Sequence, residues 1–249
     1  MSDETWLRTG IGAADADSIT IRGRNLATEL MGKVSFTELA FLLVRGRMPE
    51  HGEARLLDAV LVSLADHGLT PTVLAARLTH TGAPEALQGA VAAGLLGAGS
   101  VFLGVVEDTA TYLDELLDHD TTAERAVLAA LEQGRRIPGL GHPVHKVQDP
   151  RTPVMYAIAE ETGHLGPHLR LLREVADAHR ETTGKALPIN GAGVAGAALA
   201  DLGFPARLMR GFALLARTAG LVGHLAEEME RPIGMPLYRE VDRRATYDP

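Results

Sequence analysis

From about residue 35 onward, apolar positions recur every three to four residues, the spacing of helices with one buried face. Ser35 stands as an N-cap before FTELAFLLV, and Gly46 follows where a left-handed C-terminal residue belongs. EARLLDAVLVSLADHG repeats the pattern up to Gly68, and Thr70-Pro71 restarts a helix with a cap and an N1 proline. The Ala/Gly/Leu-rich stretch 85–98 suits a helix closely packed on all sides. Residues 101–118 predict another helix, and Thr121 and Glu124 have capping-box spacing before RAVLAALEQG. Further helices fit 152–162, 166–183, 191–202 and 205–230. Only SITIR at 18–22 alternates as a short strand does, so one or two small strands or hairpins are expected near the N-terminus. No β-branched runs alternate with the helices, which excludes a parallel α/β sheet. The fold class is all-α.

Composition narrows this picture. Aromatic residues make up 4% of the 249 positions, so Leu, Ala and Val must build the core. A formal net charge of −8 argues against nucleic acid as a partner, because phosphate needs a basic face. The chain contains no cysteine, which rules out disulfides, thiolate nucleophiles and cysteine metal sites. No apolar run reaches the ~18 residues of a membrane span. The start, MSDETWLRTG, is acidic and has no apolar stretch of the signal-peptide kind. A cytoplasmic protein with no membrane partner is expected.

One break between helical blocks concentrates polar chemistry: RRIPGLGHPVHKVQDPRTP, residues 135–153. Gly139 and Gly141 flank the approach to His142 and let backbone come near a ligand. Lys146 and Arg151 add two cations. Arginine grips carboxylates with paired hydrogen bonds and histidine polarises a carbonyl, so a keto acid or a thioester suits the loop; solvated surface charges are the alternative. His142 and His145 are spaced to ligate a metal, but no third ligand is evident, and no metal is expected. His164 and His168 are interrupted by Gly166-Pro167, which argues against a metal there as well. His80, His119, His164, His168 and His179 are taken as surface or capping residues. Asp108, Asp114, Glu115 and Asp118 are taken as a solvated helix face. Gly191-Ala192-Gly193 lacks a preceding strand, which excludes a dinucleotide fold.

GLGHPVHKVQDPR resembles the GxGHxVxKxxDPR segment of the citrate synthase family, which includes the citryl-CoA lyase module of ATP-citrate lyase. Three further segments agree in order: IRGRNLATELMGKVSFTELAFLLVRGRMP at 21–49, ADHG at 65–68 and GFALLARTAGLVGHLAEEMERP at 211–232. The resemblance implies a citrate synthase-like multihelical fold. Its large helical domain would comprise residues 1–103 and 206–249, and a smaller one, residues 104–205, would close over substrate. It also implies acyl-CoA and a keto acid or polycarboxylate as partners, with coenzyme A entering as part of the substrate and no further cofactor. A homodimer or higher oligomer is implied too, for which the apolar segment 86–99 offers an interface.

Carried over residue by residue, the resemblance makes His142 the donor to the oxygen at the reacting carbon and His67 a substrate-contacting histidine. Arg151 and Arg217 would hold carboxylates, with Lys146 and Arg22 as further cations. His224 matches a histidine of the closing helix. Phe102 stands where citrate synthases carry a histidine, as in the lyase module, and this favours a lyase. Asn190 falls where the family's aspartate base is expected, and no Asp or Glu lies between Glu181 and Asp201. The expected activity is cleavage of citryl-CoA, or of a related β-hydroxyacyl-CoA, to acetyl-CoA and oxaloacetate. Two other readings remain open: a condensing enzyme with Asn190 in an oxyanion hole, and a non-catalytic binder of CoA or a polycarboxylate.

Overall fold

The computed structural model describes residues 7–249; residues 1–6, which bear on a leader peptide, lie outside the described residues. A three-stranded antiparallel sheet comes first, with β1 (Gly12–Ala14), β2 (Ile19–Ile21) and β3 (Arg24–Asn25) in that order. A single π-helical turn, Leu26–Leu30, leads into helix α1 (Phe36–Arg45). There follow α2 (His51–Leu64), α3 (Pro71–Gly82), α4 (Leu87–Leu96), α5 (Gly104–Asp118) and α6 (Ala123–Glu132). After the long loop come α7 (Arg151–Glu161), α8 (Pro167–Thr183), α9 (Gly191–Asp201), α10 (Ala206–Glu230) and α11 (Gly234–Arg244). The fold is the all-α one that the periodicity predicts.

Local signals account for most helix ends. Ser35 caps α1 in a complete capping box with Glu38, and Gly46 closes it in the left-handed conformation. Three details differ from the sequence reading. The cap of α6 is Thr122, which accepts from the Arg125 N–H, whereas the Thr121 N–H turns back to Leu116 O. Helix α2 ends at Leu64 rather than running to Gly68. There Asp66 accepts the Gly68 N–H, and the Ala65 carbonyl meets Gly220 of α10 so closely that a Cβ would collide with it. Helix α11, absent from the sequence reading, is strongly amphipathic but short of strong boundary signals.

Helix α9 is the hub. Its sequence, GAGVAGAALAD, is buried from Gly193 to Ala200, and it packs on α2, α5, α7, α8 and α10. Small residues are what allow five neighbours to approach one helix. At Gly196 the backbone of α5 comes so near that a side chain would meet the Val106 carbonyl. The main apolar core surrounds this helix, with Leu56, Leu57, Leu113, Leu169, Leu172 and Met209 nearly or wholly without exposure. A smaller cluster of Val73, Ala76, Ala90, Leu221 and Leu225 joins α3, α4 and α10. Arg77 crosses between α3 and α10 to pair with Glu228 at 2.6 Å and Glu227 at 3.0 Å, with all but a few per cent of the Arg77 side chain buried. Among the described residues no helix is long and apolar enough to cross a membrane.

Gly196→Ala forces a methyl group into the α5 backbone. The expected cost is about 1–3 kcal/mol, the usual range for overpacking, which corresponds to roughly 2–4 °C of melting temperature per kcal/mol in a chain of this size. Thermal unfolding beside a control Gly211→Ala, where a Cβ meets nothing, measures the difference.

Candidate active site

His142 is presented by a segment that behaves as a short strand without being one. Gly141 N–H donates to Pro188 O at 2.7 Å, Asn190 N–H to Gly139 O at 2.9 Å, and Leu140 bridges Ile189 in antiparallel register. Gly139 and Gly141 both have positive φ, +84° and +82°. At Gly139 glycine is required twice over, because a Cβ would also press on Thr109 and Gly193. Asn190 completes the clasp: its Oδ1 caps α9 by accepting from Gly193 N–H at 2.8 Å, and its Nδ2 donates to Gly141 O at 2.9 Å.

Beneath this clasp lies Asp149, fully buried. It accepts from Arg151 Nε at 3.0 Å, Arg151 Nη2 at 2.8 Å, the Arg151 N–H and the Gly191 N–H. Burial alone would raise its carboxyl, but the hydrogen bonds from Arg151 and Gly191 outweigh burial and hold it far below the usual carboxylate range. Asp149 therefore welds the end of the loop to the starts of α7 and α9. Arg151 also donates to Ser63 O on α2, at 3.2 Å.

The His142 ring is fixed in one tautomer. Its Nδ1 accepts from Val144 N–H at 3.1 Å and His145 N–H at 3.0 Å, so the neutral ring carries its proton on Nε2. Burial first, then the charges of His145, Arg151 and His67, lower its pKa, with Asp149 opposing them. His142 is thus an uncharged hydrogen-bond donor. His67, in the turn after α2, meets it edge-on with ring centroids 5.7 Å apart. Burial first, then Arg151, Arg217 and His145, push His67 down as well. Arg217 of α10 is buried and donates through Nε to Leu64 O at 3.3 Å; among the described residues its terminal nitrogens have no hydrogen-bond partner. Residues from three distant stretches of chain thus converge on one place: His67, then His142 with Arg151, and Arg217.

Other expected site residues fall elsewhere in function or position. Lys146 turns back to donate to His142 O at 3.2 Å. Arg22, at φ +48°, spends its guanidinium on the carbonyls of Leu43 and Gly10, and no contact with the imidazoles is seen among the described residues. Phe102 lies half-exposed in the turn before α5. His224 pairs with Asp66 at 2.8 Å and so braces the turn that holds His67. The reading of the remaining histidines as surface or capping groups needs correction at three positions. His80 and His179 are buried, and His168 is clamped between Asp114 and Asp201 at 2.8 Å on each side, because the tertiary packing of α3, α5, α8 and α9 closes over them. Asp114 makes that pairing while its side chain stays half-exposed on the acidic face.

Sequence reasoning found no third partner for His142 and His145. The fold supplies it: the ring nitrogens of His67, His142 and His145 lie within 4.8 Å of one another. The trio is nevertheless poorly suited to a metal ion. Ligation by His142 Nε2 would move its proton to Nδ1, against two backbone N–H groups, and the two guanidinium groups repel a cation. The sequence signal for His145 and Asp149 was their presence in the HPVHKVQDPR motif; what each does depends on which rings and amides the fold brings to it.

An uncharged imidazole donor, a second imidazole and two arginines around an open turn are chemically suited to an anionic ligand that carries a carbonyl or hydroxyl. Residues 49–240 match the family described as citrate synthase, C-terminal domain, and the chain belongs to that family. It is 27% identical over 190 residues to citrate synthase of Haloferax volcanii, covering 76% of this chain and 50% of that one. It is 31% identical over 186 residues to putative citrate synthase 2 of Mycobacterium bovis, covering 72% and 48%. The chain thus spans about half the length of these relatives. The structure of citryl-CoA lyase from Hydrogenobacter thermophilus superposes with a TM-score of 0.91 at 33% identity, covering 97% of this chain and 94% of that one. ATP citrate lyase from Methanothrix soehngenii, solved with citrate and coenzyme A, shares the fold at 22% identity and a TM-score of 0.84 over 100% of this chain and 43% of its own.

Two stability measurements test the clasp. Asn190→Asp keeps the α9 cap but replaces the donor to Gly141 O with a repelling oxygen; a loss of about 1–3 kcal/mol is expected by chemical denaturation. Because the Asp149 carboxyl lies lower in the folded chain than when unfolded, it stabilises above the unfolded value near pH 4 and that contribution fades as pH falls through the folded value. Asp149→Asn is expected to be less stable at pH 7 and to show a flatter loss of stability below about pH 4.

Proposed function

We propose that this protein cleaves citryl-CoA, or a close β-hydroxyacyl-CoA, to acetyl-CoA and oxaloacetate. The observation that carries this reading is the fixed tautomer of His142, an Nε2–H donor beside two arginines. Such a donor stabilises the oxygen at the carbon whose C–C bond breaks, and a neutral imidazole does so without binding the ground-state alcohol as tightly as a cation would. Arg151 and Arg217 are proposed to hold the carboxylates, and His67 to contact the thioester end. The likeness to a citryl-CoA lyase over almost its whole length supports a lyase rather than a condensing enzyme, as does Phe102.

The segment 104–205 carries His142 and Arg151, while 1–103 and 206–249 carry His67 and Arg217. Closure of one on the other would expel water and strengthen each hydrogen bond to the charged substrate. A cytoplasmic homodimer working without a further cofactor completes the proposal, with Leu87 and Leu96 of α4, both solvent-exposed, offered to a second copy. A second reading, a binder of CoA or a polycarboxylate without turnover, draws on one observation: among the described residues no unengaged carboxylate stands at the imidazoles.

Release of oxaloacetate from citryl-CoA, followed by its coupled reduction, tests the reading. Saturable release is expected, with His142→Ala reducing kcat by about 10²–10³-fold and Arg217→Ala acting mainly on KM. Tight CoA binding without release would select the binder, and absence of both would end the functional proposal.

A further inference from the structure

Cleavage of a tertiary alcohol needs a group that takes the hydroxyl proton, and the groups described above are poor candidates for it. His142 presents a proton on Nε2, and its Nδ1 lone pair faces two amides. Asp149 is fully buried and engaged by Arg151 and Gly191. Asp66 is held by His224 and the Gly68 N–H. Asn190 is an amide with both polar atoms in the loop clasp. His67 stands near two guanidinium groups, which oppose a third positive charge.

His145 differs from all of these. Its ring stacks on His142 with centroids 4.5 Å apart and planes 26° from parallel, and neither of its ring nitrogens has a hydrogen-bond partner among the described residues. It is half-buried, so a ligand can reach it. Its own backbone N–H donates to His142 Nδ1, so one residue helps to set the donor tautomer of its neighbour and places a second imidazole beside it.

Resting on the lyase reading, we infer that His145 is the general base, taking over the proton transfer that Asn190 cannot perform. A His145 ring nitrogen removes the hydroxyl proton while His142 Nε2–H stabilises the oxygen. The O–H electron pair becomes the second bond of the new carbonyl, and the electrons of the broken C–C bond pass to the thioester as an enolate. The imidazolium then returns its proton to the enolate carbon, which becomes the methyl group of acetyl-CoA. Protons and electrons balance without a further reactant, and the base ends as it began.

The test is kinetic. In His145→Gln and His145→Asn, kcat for citryl-CoA cleavage is expected to fall about 10²–10⁴-fold, with KM and calorimetric CoA binding unchanged. In His145→Gly, added imidazole is expected to restore saturable oxaloacetate release, which a purely structural role would not produce. Wild-type turnover in His145→Gln, or a loss that tracks CoA binding with no imidazole rescue, would overturn the assignment while leaving the lyase intact. A wild-type protein that binds CoA but releases no oxaloacetate would overturn the lyase reading and this assignment together.

Discussion

Everything at the site depends on the pairing of residues 139–141 with 188–190 above a buried carboxylate. Two backbone hydrogen bonds, the Asn190 side chain and four bonds to Asp149 fix where the loop leaves the helical frame. A charge without exposure to water costs several kcal/mol unless it is fully satisfied. Asp149 meets that condition by binding the first turns of α7 and α9 at once. Its contribution is geometric: it orders Arg151 and, through Gly191 and Asn190, the loop that carries His142.

The close packing of α9 serves the same end. Gly193 touches the Gly139 backbone, and Gly191 lies against the Arg151 guanidinium, so the glycines that let α9 sit at the centre also let the loop and the arginine reach it. Helix packing and site assembly are here one steric requirement. This explains why a stretch as plain as INGAGVAGAA stands against the histidine loop, although it contains no group that can exchange a proton.

Electrostatics within the site favour neutrality. The guanidinium charges beside His67 and His142 oppose their protonation, and burial adds to that. The consequence is a pair of uncharged donors against a net charge of −8 over the whole chain. On the proposed reading, an anionic substrate would be held by local cations that the overall field does not assist.

Helix spacing, the caps at Ser35 and Thr70 and the glycine stops are local, so the all-α class and most element ranges could be read from the sequence. The GLGHPVHKVQDPR motif likewise marked the loop, because the residue types needed for the chemistry lie within a few positions of one another. Other features depend on partners far apart in the chain. The end of α2 at Leu64 is set by Gly220, the burial of His168 by Asp114 and Asp201, and the company of His142 by His67, some 75 positions away. The tautomer of His142 belongs to both levels. Its amide partners are two and three residues ahead in sequence, but only the folded loop turns their N–H groups onto its ring.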